Sequence, residues 1–136
     1  VRTTIDIRCA NGIWADLRIA NDEDEVVCIP DPGDFTPTEG WEYSRDAYRV
    51  TVLRSFRYLE MELRTSSGTL VEPAAISTLA DHRIGLPVKL QPGAELVVPI
   101  PLHEFYDLER DVEYSLSLAF GDAGTELFAS AQVQCR

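Results

Sequence analysis

The sequence predicts an all-β domain, a two-sheet antiparallel β-sandwich of about eight short strands. Three observations lead there. Apolar and polar residues alternate with period two in one segment after another, no stretch of about twelve residues keeps helical spacing, and clusters of Gly, Pro, Asn and Asp punctuate the alternating segments. A closed barrel satisfies the same strand count.

In "TTIDIRC" the residues Ile5, Ile7 and Cys9 share one face, and Thr4, Asp6 and Arg8 the other. The "NG" at Asn11 and Gly12 signals a hairpin into "IWADLRIA", which turns Ile13, Ala15, Leu17 and Ile19 inward. A polar turn, "NDEDE", leads into "VVCIP", and "DPGDFTPTEGWEYSRD", Asp31 to Asp46, reads as a long loop. "AYRVTVL" (Tyr48, Val50, Val52) and "YLEMELR" (Leu59, Met61, Leu63) form a hairpin across "RSFR". A second irregular stretch runs from Thr65 to about Val88.

"ELVVPIP" directs Leu96, Val98 and Ile100 inward, with Leu102 continuing the pattern, and places Pro99 and Pro101 on the opposite face. Amides two residues apart point to the same side of a strand, so both missing donors lie along one edge. A neighbour there would lose ladder bonds, which makes this an edge strand. The next strand turns Val112, Tyr114, Leu116, Leu118 and Phe120 inward. After "GDAGT", the last strand does the same with Leu127, Ala129, Ala131, Val133 and Cys135.

A chain of 136 residues, 45% hydrophobic, fits one domain, residues 1–136, with a core of its own. Its net charge of -11 argues against nucleic acid and anionic membrane surfaces, which call for a clustered positive face. No run nears the ~18 apolar residues that span a bilayer, so membrane insertion is not expected. The start "VRTTIDIRCANG" has no apolar signal-peptide core. The three cysteines, Cys9, Cys28 and Cys135, lack the spacing of a zinc or redox motif. One disulfide and one buried thiol is the simplest account, and it points to an oxidising compartment, secreted or periplasmic.

The strand ending in "IAND", the early "VVCIP", and "KLQPGAELVVPIPLHEFYDLERDVEYSLSLAF" resemble the immunoglobulin-like domain that precedes the catalytic domain in deuterolysin-type and peptidyl-lysine metalloendopeptidases. The resemblance spans roughly residues 13 to 120. It implies an immunoglobulin-like sandwich in which "HEFYDL" crosses between sheets, and an accessory role, protease-associated or protease-inhibitory. Protease activity does not carry over, because "HEFYD" has no second His four residues on, as an H-E-x-x-H helix requires. First and last strands of such sandwiches often run parallel, which would join Cys9 to Cys135 and leave Cys28 reduced and buried.

No cofactor motif is present. For a metal, His82, His103, the acidic Asp22–Glu25 turn and Asp31 with Asp34 are available, but the acidic clusters flank a strand and lack calcium-loop spacing, so no metal site is expected. Ser77, Asp81 and His82 are the chemical types of a relay without a nucleophile elbow, and no enzyme is expected. His103 beside Glu104 reads as a surface turn pair. The notable aromatics are Trp14, on the polar face of its strand, and Phe35, Trp41 and Tyr43 in the long loop. They could anchor a protein, stack on a sugar, or cap the core. Protein binding leads, with a carbohydrate-binding module as the alternative: Phe35, Trp41 and Tyr43 would supply affinity, while Glu39 and Glu42, with Asp31 and Asp34, would select a basic partner.

Overall fold

A computed structural model describes residues 1–29, 42–44, 49–54, 57–74, 88–122 and 125–136. The eight strands read from the sequence are all present: β1 (Arg2–Arg8), β2 (Trp14–Ala20), β3 (Val27–Ile29), β5 (Val50–Arg54), β6 (Arg57–Thr65), β8 (Glu95–Pro101), β9 (Tyr114–Asp122) and β10 (Thr125–Val133). Two three-residue strands, β4 (Glu42–Ser44) and β7 (Val88–Leu90), add to them from stretches that carry no alternation of their own. Every pairing among the described strands is antiparallel. One sheet has the order β1-β2-β8, a second β10-β9-β6-β5-β4, and β3 and β7 form a ribbon.

The two larger sheets contribute to one apolar core. Ala15, Leu17 and Ile19 of β2 and Val98 and Ile100 of β8 belong to the same buried cluster as Met61 and Leu63 of β6, Leu116, Leu118 and Phe120 of β9, and Val133. These are the inward rows that the period-two alternation selects. Leu96, Val112, Leu127 and Ala129 are only partly buried at its margin, and Val112 lies before the start of β9.

The proline strand is an edge, as its missing donors require. Among the described residues β8 pairs with β2 alone, with Pro99 opposite Asp16 and Pro101 opposite Trp14. The chain then crosses from the three-stranded to the five-stranded sheet through one helical turn, α1 (Leu102–Phe105). Leu102, Phe105 and Tyr106 are fully buried, so "HEFYDL" plugs the core while it changes sheets. Burial pushes the Tyr106 hydroxyl well above the usual phenol range, with the nearby Glu62 charge adding to the effect. At the entry to β9 the Tyr114 hydroxyl accepts a bond from the backbone N–H of Glu109 at 3.1 Å, clamping the corner it has just turned.

β1 and β10 run side by side in the same direction. The Thr3 hydroxyl donates to the Phe128 carbonyl near one end, and a Cys9–Cys135 disulfide, Cα–Cα 5.8 Å, joins the other. That pairing agrees with the sequence expectation. The third cysteine does not: Cys28 is free but exposed, not buried. In β3, Ile29 takes the buried position, and alternation turns the neighbouring Cys28 to solvent.

Among the described residues Asn21 is the one buried polar side chain. Its side-chain amide donates to the carbonyls of Glu25 (2.8 Å) and Leu90 (2.9 Å), and its side-chain oxygen accepts from the Glu23 N–H (2.9 Å). Its backbone also bonds Ala94 and Gly93. Asn21 thus ties the end of β2 to the acidic turn, to β7 and to the Pro-Gly turn before β8.

Candidate interaction surface

The outward rows of the two sheets differ in chemistry. On the three-stranded sheet, Arg18 of β2 reaches Asp6 of β1 and, at 2.7 Å, Glu95 of β8, so one guanidinium bridges all three strands. Arg8 makes a two-pronged bond to Asp16, at 3.0 and 3.2 Å, and lies 4.9 Å from the centre of the Trp14 ring. His103 meets the same indole edge-on, with ring centres 5.2 Å apart, and the indole N–H donates to the Asn11 carbonyl. Trp14 is therefore engaged by its own domain.

His103 is not a surface turn pair with Glu104. Its ring is half-buried, with Nδ1 3.1 Å from both the N–H and the carbonyl of Ile13. It docks on the β1–β2 turn at Gly12, where φ is +115° and an added Cβ would lie 2.5 Å from the imidazole. Glycine is required there twice, by backbone conformation and by contact.

On the five-stranded sheet, the pairing aligns Ser44, Thr51, Glu60, Ala119 and Phe128 in one row across all five strands. Glu42, Leu53, Tyr58, Gly121 and Glu126 form the next row on that face. Small residues, Ser117 and Ala119, floor a groove of about 230 Å³. Phe128 walls it on the β10 side, and Glu60, Glu62 and Arg49 on the other. Arg49 reaches Glu60 at 3.0 Å and Glu62 at 2.6 Å, and Arg64 approaches Glu62 at 3.6 Å from the rim. Phe128 is 63% exposed. A single exposed aromatic is ordinary on a protein surface; the groove beside this one sets it apart.

Of the residues the sequence nominates for binding, Phe35, Glu39 and Trp41 lie outside the described residues, whereas Glu42 and Tyr43 form part of β4. Tyr43 belongs to the alternate row, which passes through Val52 and Leu59 to the buried Phe120. Glu42 shares the face of Phe128. Ser77, Asp81, His82, Asp31 and Asp34 also lie outside the described residues. The turn Asp22–Glu25 is exposed, and no group of metal-ligating side chains occurs among the described residues. Phe128 escaped the sequence reading, although the alternation that turns Leu127 and Ala129 inward turns Phe128 outward among polar neighbours. The chain matches no protein-family model, no curated protein and no solved structure.

Proposed function

We propose that this is a non-enzymatic interaction module of an oxidising extracytoplasmic compartment, secreted or periplasmic, which binds a protein partner in a protease-associated or protease-inhibitory role. The observation that carries protein binding is the open groove beside Phe128 on a domain whose other outer sheet face is closed by its own ion pairs. The Cys9–Cys135 bond supports the compartment, since structural disulfides are rare in the cytosol. β4, with Glu42 and Tyr43, ends the five-stranded sheet and so offers a sheet edge to a partner.

An immunoglobulin-like sandwich is the architecture we favour. The neighbours β1-β2-β8 and β10-β9-β6 correspond to the A-B-E and G-F-C arrangement, and Tyr114 behaves like the tyrosine that fastens the corner before strand F. The connectivity departs from that pattern in one place. β4 and β5 precede β6 and enter from the far edge, whereas the extra strands of variable-type domains follow strand C.

The carbohydrate reading loses Trp14 as a platform, because Arg8 and His103 already occupy that indole. Capture with the oxidised domain as bait on an extracellular protein fraction separates the two. Retention of a specific protein, absent with reduced and unfolded bait, supports the module; retention only on polysaccharide resins, released by free sugar, supports the alternative.

A further inference from the structure

Resting on the reading of this domain as a protein-binding module, we infer where and what it binds. The docking surface is the groove between Phe128 and the Glu60–Glu62 pair. Its occupant is an extended segment of a basic partner, which lays an apolar side chain beside Phe128 and sets an arginine or lysine two residues away over the carboxylates.

Size, charge and spacing converge on this occupant. At about 230 Å³ the groove falls below the roughly 300–1,000 Å³ of small-molecule pockets, and it is open to solvent, so it receives a side chain, not an enclosed ligand. Ser117 and Ala119 leave the ring of Phe128 uncovered on the groove side, which is the setting of an aromatic anchor. Glu60 and Glu62 share Arg49, at 3.0 and 2.6 Å, and Arg64 lies 3.6 Å from Glu62 at the rim, so among the described residues Glu60 is matched by a shared guanidinium alone. A neutral partner covering Glu60 would strip water from it without return, whereas a cation replaces that water with charge.

The whole-chain charge of -11 acts in the same direction. It attracts a basic partner from a distance and repels both nucleic acid and a second copy of the chain. Phe128 and Glu60 stand two strand spacings apart, on either side of Ala119, a separation of about 10 Å. Residues i and i+2 of an extended peptide lie about 7 Å apart on one face, and the long side chain of arginine covers the remainder.

The test uses the full oxidised domain and a synthetic peptide of the pattern Ser-Phe-Ser-Arg-Ser-Phe-Ser-Arg, blocked at both ends, with a second peptide in which Glu replaces each Arg. Fluorescence anisotropy should show saturable binding of the first, weakening as salt is raised, and binding of the second at least about tenfold weaker. Phe128→Ala should weaken the first by about thirtyfold, the size of an aromatic hot spot. Ser117→Arg, which fills and charges the groove at an exposed position, should abolish it, and melting curves would show both variants folded. Equal affinity for the two peptides, or no loss in either variant, overturns the proposal, as does failure of the first peptide to bind. A concentration-dependent dimer lost in Phe128→Ala would assign the groove to a second copy instead. Because capture of a protein through another surface would leave all these peptide results negative, the docking site can fail while the module reading stands.

Discussion

The outer faces of the two sheets are built from the same alternation and end in opposite states. On β1-β2-β8, long charged side chains from all three strands satisfy one another, and Trp14 lies under Arg8 and against His103. On β10-β9-β6, the middle strand presents Ser117 and Ala119, too short to cover anything, between Phe128 and a wall of Glu60, Glu62 and Arg49. A strand's outward row thus closes or opens a face according to the length of the residues on its central strand. Buried polar fastenings differ as well: Asn21 and His103 tie down the three-stranded side, and the Tyr114 hydroxyl clamps the entry to β9 on the five-stranded side.

The seam between β1 and β10 fixes the two faces relative to each other, so breaking it has the largest effect. The disulfide encloses a separation of 126 residues, and replacing Cys9 and Cys135 by Ala should cost about 5 kcal/mol in the chain-entropy description. Denaturant melts of the two forms measure it. Next comes Asn21→Ala, which strands the carbonyls of Glu25 and Leu90 and the N–H of Glu23, at about 3 kcal/mol. Ser117→Ala on the open face should stay within about 0.5 kcal/mol. Similar losses from both would erase the proposed difference between the sheets.

Tyr106 lies under the crossover between the sheets and holds its proton more tightly folded than unfolded. Its contribution is fully present below about pH 10, the unfolded phenol's value, and is lost as pH rises toward the higher folded value. Chemical melts above pH 10 should therefore show falling stability, and Tyr106→Phe should flatten that fall. Smallest is the effect of Arg18→Ala. An exposed ion-pair ladder is screened by salt, so any drop in melting temperature should shrink at high ionic strength.

Much of this was legible in the chain. Period-two alternation located the seven longer strands, the apolar "VVCIP" after a polar turn located β3, and two prolines two residues apart identified β8 as an edge before any pairing was visible. The parallel course of first and last strands placed Cys9 against Cys135. What escaped depends on tertiary neighbours. Asn21 looked like one more polar turn residue, because nothing local announces that the carbonyl of Leu90 will arrive beside it. His103 looked like a surface residue for the same reason: its partner, Ile13, is 90 positions away. Strand β4 is too short to show alternation, so its register, which divides Glu42 from Tyr43 between the two faces, exists only through its pairing with β5.

The difference between the faces is tested most directly by locating the bound peptide. Amide and methyl spectra of the isotopically labelled domain, titrated with the Phe- and Arg-containing peptide, should show shifts concentrated at Phe128, Ala119, Ser117, Glu60 and Glu62, with Trp14, Arg18 and Val97 unmoved. Shifts centred on Trp14 and Arg18, with Phe128 and Ala119 unchanged, would contradict the account, since they would place recognition on the face closed by its own ion pairs.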